Sequence, residues 1–168
     1  MNLSTNLDPK AFAGEVEEVA RTADWTVHHL SSTESGPRPW FERSAPAGDS
    51  VPPRLYLSSG IHGDEISGPW ALLEMIRHPG FFAGFDVTIF PILNPDGLAR
   101  GVRTNRDGID LNRDYRNSKS LEIKGHIEHW GDLFYGRVKV VTAEKLDALA
   151  LQIGVLWKHL ARQRSRAA

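Results

Sequence analysis

A chain of 168 residues with 40% apolar and 24% charged side chains can bury one substantial core, and its even composition excludes disordered and fibrous classes. With 20 basic against 21 acidic residues the formal charge is -1, so no global field draws it to nucleic acid or an anionic membrane, and neither is expected as a partner. The absence of cysteine excludes disulfides, thiolate metal sites and a thiol nucleophile.

The opening MNLSTNLDPKAFAGEVEEVA carries neither the basic leader nor the apolar stretch of a secretory signal, which makes the cytoplasm the default expectation. Asp8 before Pro9 reads as a helix cap followed by proline at the first helical position. Phe12, Val16, Val19 and Ala20 then recur at helical spacing, predicting a helix from Pro9 to Thr22. Trp25 to Leu30 has strand character, and Ser31 to Pro53, with a strand-like piece at Pro39 to Arg43, reads as a hairpin or meander at a sheet edge.

Leu55-Tyr56-Leu57 reads as a short buried strand running into the glycine-bounded turn SSGIHGDEISGPW. Ile66, Trp70, Leu73 and Ile76 follow at helical spacing, and Phe85 to Leu93 is a second apolar strand ended by the turn signature Asn94-Pro95-Asp96-Gly97. Strand, helix, strand in that order makes a βαβ unit and hence a partly parallel sheet. Leu98 to Asn117 reads as a long polar loop turning at Gly108, a length that usually accompanies function. Ile123, Ile127, Trp130 and Phe134 mark a helix over Ser118 to Trp130, and Gly136 to Val141 is a brief strand candidate.

Thr142 caps a final amphipathic helix with Leu146, Leu149, Ile153, Leu156 and Leu160 on one stripe, a surface suited to homo-oligomer formation. The reading is a single domain over 1–168, with 136–168 as a divergent C-terminal helix region.

Two clusters carry chemistry. His62 and Glu65, three residues apart just beyond a strand's carboxyl end, can point at one cation; the alternative is a loop histidine beside a first-turn acid favoured by the helix dipole. Catalytic zinc takes three protein ligands and keeps a fourth position for water, so a third ligand is required. The second cluster, with Arg100, Arg103, Arg106 and Arg113, suits bidentate binding of a carboxylate, or is a solvated loop whose Arg and Asp side chains pair with each other.

In order and spacing, His62-Gly63-Asp64-Glu65, Asn94-Pro95-Asp96-Gly97, Arg103 and Gly108-Ile109-Asp110-Leu111-Asn112-Arg113 resemble the zinc carboxypeptidase family. These are the carboxypeptidase A-like metallopeptidases, relatives of aspartoacylase and succinylglutamate desuccinylase, and the resemblance covers about Leu55 to Tyr115. It implies an α/β fold with a mixed, mainly parallel sheet flanked by helices, and one zinc ion held by His62 and Glu65. It also implies that Arg103 polarises the scissile carbonyl and stabilises the oxyanion, while Asn112 and Arg113 grip the substrate's free carboxylate.

The expected activity is release of C-terminal residues from peptides, or deacylation of N-acyl amino acids, with a small carboxylate-bearing peptide or acyl-amino acid as substrate. The family's second histidine ligand, its general-base glutamate and its pocket tyrosine belong after Arg113, where no strand closes on a histidine and the chain reads as C-terminally shortened. His28, His29, His78, His126, His129 and His159 are each weak choices for the third ligand, and Glu128 and Glu144 read as helix-surface acids. A site so incomplete is expected to bind better than it turns over. A non-catalytic binding protein and a partner-binding protein acting through the C-terminal helix therefore stand beside the enzyme.

Overall fold

The computed structural model describes residues 7–48 and 51–136, with side chains to residue 129. The predicted first helix forms as α1 (Pro9–Thr22), and the Asp8 carboxylate caps it by accepting from the Lys10 and Ala11 amides at 2.9 and 3.2 Å. The hairpin is β1 (Thr26–Thr33) against β2 (Gly36–Arg43), antiparallel, with β1 at the sheet edge. The βαβ unit is β3 (Arg54–Ser58), α2 (Ser67–Arg77) and β4 (Asp86–Phe90), in which β3 and β4 pair in parallel. Strand order is β1-β2-β4-β3, and β2 meets β4 antiparallel, so the sheet is mixed.

Adjacent residues of β2 point to opposite faces, as the pleat requires. On one face Trp40 stacks on Phe90 at 5.2 Å, and with Leu30 and Leu93 it forms a buried cluster against which Tyr56 and Ile61 pack. That face is covered by α5 (Leu121–Gly136), whose His126 meets the Phe90 ring edge-on at 4.8 Å. Phe41, Val87 and Ile89, all buried, take the opposite parity. The α1 and α2 helices pack on each other, their contact including an edge-on Phe12–Trp70 pair at 5.0 Å. Fully buried Arg38 of β2 donates to the Ser31 carbonyl of β1 at 2.8 Å and reaches the Glu122 carbonyl of α5 at 3.1 Å.

Several local expectations change. Asn94-Pro95-Asp96-Gly97 does not merely turn: Asn94 caps a helix, α3 (Pro95–Arg100), because its side-chain oxygen takes the Gly97 amide and Pro95 needs no donor at the first position. The polar stretch after it contains α4 (Leu111–Asp114), capped by Asp110, so much of the predicted loop has regular structure. The β3 strand is not buried throughout, since only Leu55 is enclosed, and Trp70 stays 40% exposed because Leu72, Leu73, Met75 and Ile76 form the packed side of α2. The α5 helix begins three residues later than predicted because the Ser120 hydroxyl caps it at the Ile123 amide and is itself held by Asp114. The strand candidate beyond Gly136, the C-terminal helix and the homo-oligomer it suggested lie outside the described residues.

Asn94 positions the candidate site. Its backbone amide donates to the Gly60 carbonyl at 2.8 Å, and its side-chain amide reaches the carbonyls of Ile61 at 3.2 Å and Arg103 at 3.4 Å. One fully buried side chain thus joins the His62 turn, the start of α3 and the Arg103 segment. Gly63 makes this approach sterically available: a methyl group there would lie 1.9 Å from the Gly97 carbonyl carbon and 2.4 Å from the Leu98 amide nitrogen.

His126, buried in α5, accepts or donates at both ring nitrogens, with Tyr56 Oη 2.8 Å from Nε2 and Tyr115 Oη 2.6 Å from Nδ1. Burial, then the nearby Arg38 and His129, lower its pKa to about 4. Burial also raises both tyrosine pKa values, that of Tyr115 to about 12.

Two consequences are measurable. Gly63→Ala forces backbone apart and is expected to cost on the order of 2 kcal/mol or more in urea unfolding; an unchanged midpoint would contradict the contact. His126 stays neutral when folded but protonates in the unfolded chain as pH falls below 6.5, so its contribution is full above that value and is lost between pH 6.5 and about 4. The stability gap between wild type and His126→Phe should shrink by on the order of 3 kcal/mol over that window, read from urea titrations at several pH values.

Candidate metal and carboxylate site

His62 and Glu65 leave the end of β3 on a tight turn, in which the Glu65 amide donates to the His62 carbonyl at 3.3 Å. The turn sets His62 Nδ1 and Glu65 Oε1 3.0 Å apart. The imidazole is enclosed, its side chain 9% exposed, whereas the glutamate is 61% exposed. Two ligands of one zinc ion, each about 2.0–2.2 Å from the metal, come roughly this close to each other, so the pair fits half of a tetrahedral shell.

The other face of the imidazole meets Asp110. His62 Nε2 is buried without a hydrogen-bond partner, and Asp110 Oδ1 lies 3.4 Å away, close enough for charge to act though not aligned for a full hydrogen bond. Because the two ring nitrogens point in different directions, Asp110 cannot join Glu65 on the same ion. It sits instead where a carboxylate fixes the orientation and tautomer of a ligating histidine.

Asp110 also gathers the arginines. Its Oδ2 accepts from Arg103 Nε at 3.0 Å and lies 3.6 Å from Arg113 Nε, while Oδ1 accepts the Asn112 amide at 3.1 Å. Loss of water would raise the Asp110 pKa, but the hydrogen bond and charge of Arg103, followed by His62, hold it below the ordinary aspartate value. The closest approach of each arginine is through Nε, so Asp110 does not consume the terminal amino groups of either guanidinium. Arg113 remains 86% exposed, and the Asn112 residue is exposed too.

The remaining arginines of the cluster are otherwise engaged. Arg106 pairs with Glu34, and Arg100 Nε donates to the Asp96 carbonyl at 3.1 Å. His62, Arg103 and Arg113 are therefore brought round Asp110, with Glu65 joined through His62 and Asn112 through its backbone. Asp110 is the residue to which the sequence reading gave no role; its signal was an aspartate at the cap position immediately before Leu-Asn-Arg.

Among the described residues no group of three His, Cys, Asp or Glu side chains could hold a metal ion. His126 spends both ring nitrogens on tyrosines. His28 lies 3.1 Å from Glu42 and stacks on Trp40, and His29 lies 2.9 Å from Glu17. His129 reaches the Gly125 carbonyl at 2.9 Å, and His78 packs on Phe81. Glu128 is an exposed residue of α5, as expected, while His159 and Glu144 lie outside the described residues. No described helix is long and apolar enough to cross a membrane.

Known proteins share these features over part of the chain. Residues 52–132 match the model of the succinylglutamate desuccinylase/aspartoacylase catalytic domain. A "probable aspartoacylase" of Prochlorococcus marinus (strain MIT 9313) is 38% identical over 64 residues, 38% of this chain and 20% of that protein. Carboxypeptidase 2 of Trichophyton rubrum is 25% identical over 118 residues, 61% of this chain and 22% of that one. The crystal structure of "a putative metallopeptidase" from Shewanella denitrificans OS217 superposes with a TM-score of 0.62 at 32% identity, covering 73% of this chain and 46% of the other. The chain therefore spans less than half the length of each of these relatives. The four ordered motifs, their convergence in space and these likenesses together support the resemblance of this chain to the zinc carboxypeptidase family that includes aspartoacylase and succinylglutamate desuccinylase.

Proposed function

We propose that this chain forms the metal- and carboxylate-binding part of a hydrolase that cleaves an amide bond next to a free carboxylate. The substrate class is a small peptide opened at its C-terminal residue or an N-acyl amino acid. The observation that carries the reading is the position of Asp110, which meets the imidazole of His62 on one side and the guanidinium of Arg103 on the other. One carboxylate thereby links the metal half of the site to its cationic half.

His62 and Glu65 would hold the ion, and the third protein ligand would come from outside the described residues. A bound zinc ion would supply an acidified water and a Lewis acid. The chain's own groups do the rest. Asp110 holds the His62 ring in one orientation, and Arg103, anchored through Nε, keeps terminal N–H groups to neutralise charge developing on a carbonyl oxygen. Arg113, more exposed, presents a planar fork suited to a carboxylate, beside the Asn112 amide group.

The acyl-amino-acid reading draws specific support from the matched catalytic-domain model and the aspartoacylase likeness, and the peptide reading from Carboxypeptidase 2. Both substrates end in the carboxylate that Arg113 would take. A binding protein with little turnover is the reading favoured if only two ligands are present.

Equilibrium dialysis against zinc separates these. Wild type should bind about one ion per chain and His62→Ala should lose it; a clean wild-type preparation holding less than roughly a tenth of an equivalent would end the metal reading. Asp110→Asn, which keeps the shape but not the charge, should weaken zinc by about 10–100-fold. Chelator-sensitive hydrolysis of an N-acyl dipeptide but not its C-terminal amide would establish the enzyme, and metal binding without turnover would establish the binding protein.

A further inference from the structure

The Asp110–Arg113 segment is held at both ends by one helix. On the N-terminal side, Asn105 folds the chain back on itself: its side-chain oxygen accepts the Asp107 and Ile109 amides at 3.1 and 2.9 Å, and its own amide donates to the Ile109 carbonyl at 3.0 Å. The Asn105 side-chain amide then donates to Glu122 Oε2 of α5 at 3.2 Å. On the C-terminal side, Tyr115 Oη lies 2.6 Å from His126 Nδ1, also of α5. Glu122 and His126 are four residues apart and therefore share one face of the helix.

Both anchors are themselves fixed. Glu122 and His126 are 5% and 2% exposed, and the guanidinium of Arg38 rises from β2 towards them, interacting with the Glu122 charge. His126 is further held by Tyr56 of β3, at 2.8 Å. A neutral imidazole has one donor and one acceptor nitrogen, so its two tyrosine contacts set a directional chain from the sheet to the segment. Asp114 adds a third link, accepting the Ser120 hydroxyl at 2.7 Å at the start of α5.

The geometry points to Glu122 and His126 as a pair of positioning residues that register the Asp110–Arg113 segment against the sheet and so set where Arg113 meets a substrate carboxylate. Neither touches the substrate. Glu122 acts through Asn105 and His126 through Tyr115, and the inference rests on the proposed carboxylate role of Arg113. Its rationale is the steep dependence of recognition on placement: a displacement of about 1 Å in a positioned group costs on the order of 100-fold in a reacting site.

The test uses the full chain in four forms: wild type, Tyr115→Phe, His126→Phe and His126→Gln, with Val16→Ala of α1 as a stability-matched control. Two quantities are read: amide hydrogen exchange over residues 106–115, and the affinity ratio between N-benzoylglycyl-phenylalanine and its C-terminal amide. Tyr115→Phe and His126→Phe should speed exchange in that window and cut the carboxylate-to-amide ratio by about tenfold or more. His126→Gln, whose amide can both donate and accept, should recover part of both, and Val16→Ala should change neither. Unchanged exchange in Tyr115→Phe and His126→Phe, or an equal change in Val16→Ala, overturns the positioning role. A wild type that does not discriminate the carboxylate overturns the Arg113 reading, and the inference about where Arg113 meets substrate falls with it. A wild type that discriminates, with variants that loosen the segment without changing the ratio, overturns the inference and leaves the Arg113 reading standing.

Discussion

The architecture of the site depends on a backbone-to-backbone approach that only glycine permits. Gly63 lies so close to the Gly97 carbonyl that any side chain would displace one segment from the other. Across this contact the buried Asn94 amide group bridges the carbonyls of Ile61 and Arg103, while its oxygen caps α3. Buried amides left without partners cost about 1–3 kcal/mol each, so Asn94 serves the fold and the site by the same bonds. The histidine turn and the arginine segment, with His62 and Arg103 41 positions apart in sequence, are neighbours for this reason.

Charge organises the next level. Asp110 is the point where His62, Arg103 and Arg113 meet, and its carboxylate stays ionised because Arg103 outweighs the loss of water. Asp110 thereby restrains the arginine side chains without using up their terminal donors. The remaining cations of the cluster are taken by Glu34 and by the Asp96 carbonyl. A stretch that reads as a dense run of equivalent guanidinium groups becomes, once folded, two that face the site and two that secure the loop.

Much of the local structure was legible in the sequence because short-range chemistry governs it. The Asp8-Pro9 cap fixed α1 to the residue, and the alternation of strand and helix foretold the parallel β3–β4 pair. Periodicity failed where tertiary packing chose the face: α2 buries Leu72 and Met75 and leaves Trp70 half-exposed against Phe12. Turn chemistry failed at Asn94-Pro95-Asp96-Gly97, where the same residues that favour a turn also favour a helix start. The polar stretch after Gly97 looked unstructured because its order comes from Asn105, Asp110 and Asp114 bonding their own neighbouring amides, which leaves no hydrophobic period.

By itself, then, the sequence determined the motifs, their order and the family they resemble, since ligand type, caps and glycine positions are properties of short segments. It could not say that Asp110 stands between His62 and Arg103, nor that Glu122 and His126 grip the segment from α5. Those relations join residues far apart along the chain, and only the closing of Gly63 onto Gly97 and the packing of α5 on the sheet bring them within bonding distance.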